Sequence, residues 1–247
     1  MSQPTVLFHA SDLHFGYEDR EALAWFMAEV ECERPAAVLC TGDLTMRGSA
    51  REYALAKDWL GALPVPLVLV AGNHDVPYYH HMVRRLAHPY QRFHALAAAV
   101  AVRLDLPDIA VVPLKTVARA QMRLNWAKGR VSHSDLDATV RDLGVEADKT
   151  LKLVVCHHPL VDAGTQGSGS TRGGRRALAA LARAGVDAVL SGHVHDAFDL
   201  AVEAEGLPVR LIGAGTLSQR LRATRPGYNR LEWSVEQGLR VDHHSFA

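Results

Sequence analysis

Apolar residues along this chain gather in short continuous runs, each closed by a small or polar residue: Thr5 to Ser11, Ala36 to Thr41, Pro66 to Ala71, Leu151 to Cys156, Asp187 to Ser191 and Val209 to Gly213. Runs of Val and Leu without alternation are the pattern of strands buried on both faces. Between them the apolar period becomes helical. Arg20 to Cys32 places Leu23, Phe26, Met27 and Val30 on one face, and Arg51 to Leu63 does the same with Leu55, Trp59 and Leu60, behind a capping box at Ser49-x-x-Glu52. Ser132-x-x-Asp135 opens a helix running to Gly144, and Gly174 to Ala184 forms another. This β-α-β alternation predicts sheets covered by helices. After Gly215 the pattern turns to short antiparallel strands, Tyr228 to Val235 and Leu239 to His244. Tyr78 to Leu104 is helical but crowded with His and Arg, and Asp162 to Gly174 is a Gly, Ser and Thr loop. With no internal repeat and no clear linker, a chain of 247 residues is expected to form a single domain, 1–247.

Five short motifs stand where these runs end: Asp12-x-His14, Gly42-Asp43, Gly72-Asn73-His74-Asp75, His157-His158-Pro159 and Gly192-His193-Val194-His195. Singly, each has a plain explanation, since Gly-Asp can lead into a helix and Gly-Asn can be a turn with left-handed residues. Together, in this order, they read as one metal site. Side chains two apart in an extended segment point the same way, so Asp12 with His14, and His193 with His195, can each aim at one locus. Buried parallel strands bring their carboxyl ends to one edge of a sheet, where loops hold ligands, so the motifs should converge. Asp12, His14, Asp43, Asn73, His157, His193 and His195 supply too many donors for one zinc-like ion and suit two ions that share a carboxylate, with Asp43 as the natural bridge. Oxygen and imidazole donors without thiolate favour Mn, Fe, Zn or Co. His158 follows a donor and is expected to face away.

The charge of such a site narrows its chemistry. Two divalent ions bring four positive charges, Asp12 and Asp43 remove two, and a metal-bound hydroxide removes a third, leaving one to meet a phosphodiester monoanion. Paired ions about 3.5 to 4 Å apart ionise water and clamp the attacking and leaving oxygens of an in-line displacement at phosphorus, so hydrolysis is the expected reaction. His74 is not needed as a ligand and is free to protonate the leaving oxygen or stabilise its charge, with Asp75 as the residue that could orient it. Tyr78, Tyr79, His80, His81 and Arg84 follow directly and are candidates to line the pocket. The Thr165 to Gly174 loop lacks the lysine of a P-loop and is read as a mobile rim of the site.

Lys plus Arg and Asp plus Glu both number 27. No net field therefore draws the chain to a nucleic-acid polymer or an anionic membrane, and a small phosphoester is the expected partner. No apolar run approaches the roughly 20 residues of a membrane helix, and no basic region precedes an apolar signal core. A soluble, cytoplasmic protein is expected. Cys32, Cys40 and Cys156 sit singly in apolar stretches without metal-binding spacing and are read as buried free thiols of a reducing compartment.

With these motifs in hand, the chain resembles the calcineurin-like metallophosphoesterase superfamily from Asp12 to the strands after Gly215. The resemblance implies an α/β fold, a four-layer α/β/β/α sandwich of two mixed sheets flanked by helices. It also implies Asp12, His14, Asp43 and His195 on one metal, Asp43, Asn73, His157 and His193 on the other, and His74 as the catalytic histidine. Gly42-Asp43-Leu44-Thr45, then Gly48, then Gly72-Asn73-His74-Asp75 look like the bacterial phosphodiesterase branch that includes class III cyclic nucleotide phosphodiesterases. Purple acid phosphatases carry a tyrosine ligand three residues after the bridging Asp, where this chain has Met46. Protein Ser/Thr phosphatases carry Arg before their Gly-Asn-His and Glu after it, where this chain has Ala71 and Asp75. Arg47 matches their other arginine in register, but one arginine does not restore the pair, and a protein substrate is disfavoured. The expected activity is hydrolysis of small phosphodiesters, with 3′,5′-cyclic nucleotides as first candidates. The alternatives are a phosphomonoesterase and a pyrophosphatase resembling the UDP-diacylglucosamine hydrolases, whose cap Tyr78 to Leu104 would supply. A complete ligand set argues against a non-enzymatic scaffold, and the lack of a basic stripe argues against a nuclease.

Overall fold

The continuous apolar runs become strands of two five-stranded sheets, all in the middle except that of Pro66 to Ala71, which forms an edge. The structure, a computed structural model, describes residues 4–77, 82–119, 127–167 and 170–247. In the first sheet β1 (Thr5–Ala10), β2 (Ala37–Cys40) and β3 (Leu67–Leu69) run parallel, and the hairpin of β9 (Gly227–Ser234) and β10 (Gly238–Ser245) adds antiparallel to β1, giving the order β10-β9-β1-β2-β3. In the second, β4 (Ile109–Pro113), β5 (Leu151–Val155), β6 (Ala188–Ser191) and β8 (Leu207–Gly213) are parallel and β7 (Phe198–Ala204) is antiparallel at the edge, in the order β4-β5-β6-β8-β7.

Strand alternation sorts the core into three apolar layers. Leu7, Leu39 and Leu231 of the first sheet meet Leu153, Val155, Leu190 and Ile212 of the second. The opposite faces look outward to helices. Phe8, Ala10, Val38 and Tyr228 pack on α1 (Arg20–Glu33), α2 (Ala50–Gly61) and α4 (Gln91–Val100), while Val154, Val189 and Leu211 pack on α5 (His133–Val145) and α6 (Gly174–Arg183). The result is the expected four-layer α/β/β/α sandwich of two mixed sheets. The caps read from sequence are in place: the Ser49 hydroxyl accepts from Glu52 N in a complete capping box, and Ser132 accepts from Asp135 N.

Several expectations need correction. β4 and β7 are not among the expected strands, although β4 holds a continuous apolar run of its own, Ile109 to Val112. β7 mixes exposed and half-buried positions, which is the signature of an edge strand and not of a strand buried on both faces. Leu55 was expected on the buried face of its helix, yet α2 buries Tyr53, Ala56 and Leu60 and leaves Leu55 41% exposed. Cys32 is exposed near the end of α1, off the face formed by Ala22, Leu23, Phe26 and Val30, whereas Cys40 and Cys156 are buried free thiols as read. Residues 82–104 hold α3 (Met82–Ala87) and α4. Phe93 and Leu96 pack one face of α4 into the same layer as α2. No described helix is long and apolar enough to cross a membrane.

Candidate metal centre

The candidate donors sit in the loops just past β1, β2, β3, β5 and β6, so both sheets feed one site at their carboxyl edges. These loops are tied together by backbone: Asp12 N donates to Gly42 O and His14 N to Asp43 O, both at 2.9 Å, and Gly192 N donates to His157 O at 2.9 Å. Here the extended-segment argument fails in its detail. Asp12, His14, Asp43, His193 and His195 all have positive φ, between 46° and 70°. Side chains two apart converge because both residues are left-handed turns beyond the strand, not because the strand continues. Such conformations cost about 1 to 3 kcal/mol each in non-glycine residues and gather at functional sites. The motif glycines have a steric reason as well. A Cβ on Gly192 would overlap Ser11 Oγ and stand 2.5 Å from Asp12 Oδ2.

Each carboxylate uses one oxygen to fix itself and turns the other inward. Asp12 Oδ2 accepts from His193 N at 2.8 Å, while Asp12 Oδ1 lies 3.1 Å from His195 Nε2 and 3.6 Å from His14 Nε2. Asp43 Oδ1 accepts from His74 N at 2.8 Å, while Oδ2 stands between His14 Nε2 at 3.8 Å and His157 Nε2 at 3.4 Å. Asn73 Oδ1 is 3.2 Å from His157 Nε2, and the His193 ring lies 5.1 Å from that of His157. Atoms sharing one ion at 2.0 to 2.2 Å would be roughly 2.8 to 3.6 Å apart, so most of these separations are edges of a coordination shell. Asp12 Oδ1 is buried with no hydrogen-bond partner, which a cation would satisfy. Asp12, His14 and His195 form one cluster, and Asp12, Asp43 and His157 another. The residues therefore fit a pair of metal ions.

Ring orientation is set from behind. His157 Nδ1 donates to Thr41 O at 2.8 Å and His195 Nδ1 donates to Arg220 O at 2.6 Å, which leaves each Nε2 facing the cluster. Burial opposes ionisation of Asp12 and Asp43, but the imidazoles against them, His195 for Asp12 and His157 for Asp43, hold both carboxyls well below the usual carboxylate range. They remain anions ready for a cation. The His158 ring does not face away: it packs 4.4 Å from the His193 ring. Its nitrogens are engaged by Thr116 Oγ1 at 3.0 Å and Ala127 O at 2.8 Å, so it braces the wall of the cleft.

His74 Nδ1 donates to Met46 O at 2.7 Å, and burial draws its pKa down, keeping the ring neutral. Orientation of His74 thus comes from the Met46 carbonyl. Asp75, the expected orienting residue, instead cradles backbone: its carboxylate accepts from Gly72 N at 2.8 Å, Thr45 N at 2.9 Å and Leu44 N at 3.2 Å. Burial and the nearby Asp43 push the Asp75 carboxyl up to about 6. It locks the Asp43 and Asn73 loops to each other. Arg47 is exposed and is not part of the described cleft wall, nor is Arg84. Tyr78, Tyr79, His80 and His81 lie outside the described residues. Gly167 lines the cleft, which brings the start of the Thr165 loop to its rim.

Sequence reasoning missed Arg220. Its guanidinium Nη1 lies 3.0 Å from His74 Nε2 and 3.3 Å from His14 Nε2, in a cleft of about 230 Å³ that Lys128 and Arg222 also line. A signal existed in the basic cluster Arg220, Arg222 and Arg225, but no spacing rule ties it to the five motifs.

Residues 5–197 match the family described as Calcineurin-like phosphoesterase. The chain is similar to a probable cyclic nucleotide phosphodiesterase of Synechococcus sp., 26% identical over 95% of this chain and 89% of that protein. It is also similar to a glycerophosphodiester phosphodiesterase of Enterobacter lignolyticus, 37% identical over 81 residues, which are 28% of this chain and 29% of that one. The crystal structure of a dimetal phosphatase from Danio rerio superposes over the whole of both chains with a TM-score of 0.67 at 13% identity, a likeness of fold. Motif order, sandwich and family match agree: the chain belongs to the calcineurin-like phosphoesterase family of metal-dependent hydrolases.

Proposed function

We propose that this protein hydrolyses small phosphodiesters at two transition-metal ions drawn from Mn, Fe, Zn and Co. Asp12, His14, Asp43 and His195 would hold one ion, and Asp43, Asn73, His157 and His193 the other. The observation that carries this reading is Asp43 Oδ2, poised between His14 of one cluster and His157 of the next. Bound there, the ions would supply an ionised water as nucleophile and neutralise charge on the phosphoryl oxygens. The chain's own residues do the rest. Asp12 and Asp43 hold their orientation through backbone amides, and the Thr41 and Arg220 carbonyls hold two imidazoles in the ligating tautomer. Because Nδ1–H of His74 donates to Met46 O, Nε2 is the nitrogen that faces the departing oxygen; neutral at rest, it would first take a proton released by the attacking water and then pass it to that oxygen.

The bacterial relatives, a probable cyclic nucleotide phosphodiesterase and a glycerophosphodiester phosphodiesterase, support a diester. The small cleft suits a phosphate with a compact substituent, and the packing of α4 into the helical layer favours that over a lipid-linked pyrophosphate. Ligands from both sheets support reading 1–247 as one catalytic domain, and the two buried free thiols support a reducing, cytoplasmic setting. The test is initial rates on bis(p-nitrophenyl) phosphate, 3′,5′-cyclic AMP, glycerophosphodiesters and a UDP-linked lipid, with Mn added and then chelated. Diester turnover that a chelator abolishes and Mn restores is expected, at two ions per chain. Full activity at one ion or fewer per chain would overturn the dinuclear reading, and turnover confined to the UDP-lipid would overturn the small-diester one.

A further inference from the structure

Among the described residues that line the cleft, Asp43 is the sole carboxylate, against Lys128, Arg220 and Arg222. Arg220 stands apart from the other two because its guanidinium reaches the centre. Nη1 sits 3.0 Å from His74 Nε2 and 3.3 Å from His14 Nε2, between the histidine that serves the leaving oxygen and a donor to one candidate ion. The segment carrying it is bolted down on both sides. Thr216 Oγ1 donates to Asp12 O at 2.7 Å, Ser218 Oγ lies 2.7 Å from Thr216 Oγ1, and Arg220 N donates to Ser218 Oγ at 3.3 Å. Beyond Arg220, Ala223 N donates to Asp196 Oδ1 at 2.8 Å, and the Arg220 carbonyl itself accepts from His195. These bonds fix the backbone that carries Arg220 and so set its guanidinium beside the reaction locus, where it can meet an oxyanion.

We propose that Arg220 is a phosphate-binding residue that extends the site to dianionic phosphomonoesters. This rests on the phosphohydrolase reading above. Two ions, two carboxylates and an ionised water leave the metal centre with one positive charge; Arg220, against His74 and His14, brings a second at the centre, which suits a dianion, while Lys128 and Arg222 add to it from the cleft wall. Arginine is suited to the task, since its planar fork gives two parallel donors to a phosphate. The monoester step is balanced as hydrolysis. A water oxygen bonds to phosphorus as the bond from phosphorus to the ester oxygen breaks, the alcohol carries away one water proton, and the other stays with inorganic phosphate.

Arg220→Ala removes the guanidinium and keeps the carbonyl that orients His195, so it separates the two jobs. The test compares the Mn-loaded wild type with Arg220→Ala and Arg220→Lys by three readouts: kcat/KM on p-nitrophenyl phosphate, kcat/KM on bis(p-nitrophenyl) phosphate, and calorimetric affinity for inorganic phosphate. Loss of one charge-assisted pair predicts about a hundredfold loss on the monoester, no more than about tenfold on the diester, and phosphate binding weaker by about tenfold. Arg220→Lys should recover part of the monoester rate, and two ions per chain should remain in both variants. Equal losses on the two esters, or unchanged phosphate affinity in Arg220→Ala, would overturn the proposal. Should the wild type hydrolyse neither ester, the phosphohydrolase reading fails, and the phosphate affinities still decide whether Arg220 binds phosphate.

Discussion

Replacing Gly72 with Ala tests whether close backbone packing is what places the bridging carboxylate. Gly72 has an ordinary φ, so alanine adds no backbone strain, and the whole effect is steric. The new Cβ would overlap the backbone N and Oδ1 of Asp43 and stand 2.7 Å from its Cγ. Carbon atoms need roughly 3.5 Å, so the Asp43 carboxylate must retreat by about 0.8 Å, and its Oδ1 by more. Metal sites tolerate about 0.2 Å in ligand distance, so the shared oxygen is lost to at least one ion. The shift also strains the bond from His74 N to Asp43 Oδ1, 2.8 Å in the native arrangement. Overpacking of 1 to 3 kcal/mol and a weakened buried hydrogen bond of similar size predict about 3 kcal/mol less stability. For a chain of this size that is a fall of about 6 to 12 °C in Tm. Elemental analysis should find fewer than two ions per chain, and kcat/KM on the diester should drop at least about 10²-fold, the usual cost of a misplacement near 1 Å. Two ions, wild-type rates and an unchanged Tm in Gly72→Ala would refute the argument.

A control lies in α5, where a Cβ on Gly144 would meet nothing within 4 Å. Gly144→Ala should raise stability by about 0.5 kcal/mol with metal content and rates unchanged, and a lowered Tm would count against it. His74→Ala should lower kcat about 10²- to 10⁴-fold on esters of poor leaving groups while both ions stay bound, and the loss should shrink for nitrophenolate esters. Equal losses across leaving groups would mean that the ring stabilises charge and transfers no proton.

Most of the site was legible because its residues are punctuation. Gly42 and Gly72 end strands where another loop's backbone comes too close for a side chain, and Gly192 where the Ser11 and Asp12 side chains do; the candidate donors stand beside them, so the same letters mark both the turn and the chemistry. The central strands were legible for a related reason: burial on both faces leaves continuous apolar runs such as Leu151–Val155. What escaped depends on distant partners. β7 packs only one face, Phe198, Val202 and Ala204, against the core beside its ladder with β8, so it alternates and shows no continuous apolar run. Leu55 was misplaced because a helical pattern gives a face but not the axis of contact, which Tyr53, Ala56 and Leu60 set against the sheet. Arg220 reaches the centre through Thr216 and Ser218, residues with no motif of their own.

The left-handed donors complete the picture of how the chain invests its packing. Five of the seven candidate ligands hold positive φ, each at a cost of about 1 to 3 kcal/mol that a free peptide would relax. Local bonds such as Tyr17 N to His14 O and Val194 N to Gly192 O offset part of this; further compensation lies between the loops, in Asp12 N to Gly42 O, His14 N to Asp43 O, Thr216 Oγ1 to Asp12 O and the Asp75 carboxylate under Gly72, Leu44 and Thr45. The donors are therefore set in advance by the fold, and an arriving ion meets a shaped site instead of having to order one. The same logic separates the roles of neighbouring residues: Asp75, spent on backbone amides, shapes the site, while His74, whose Nε2 is turned toward Arg220 and the cleft, is left to act in it.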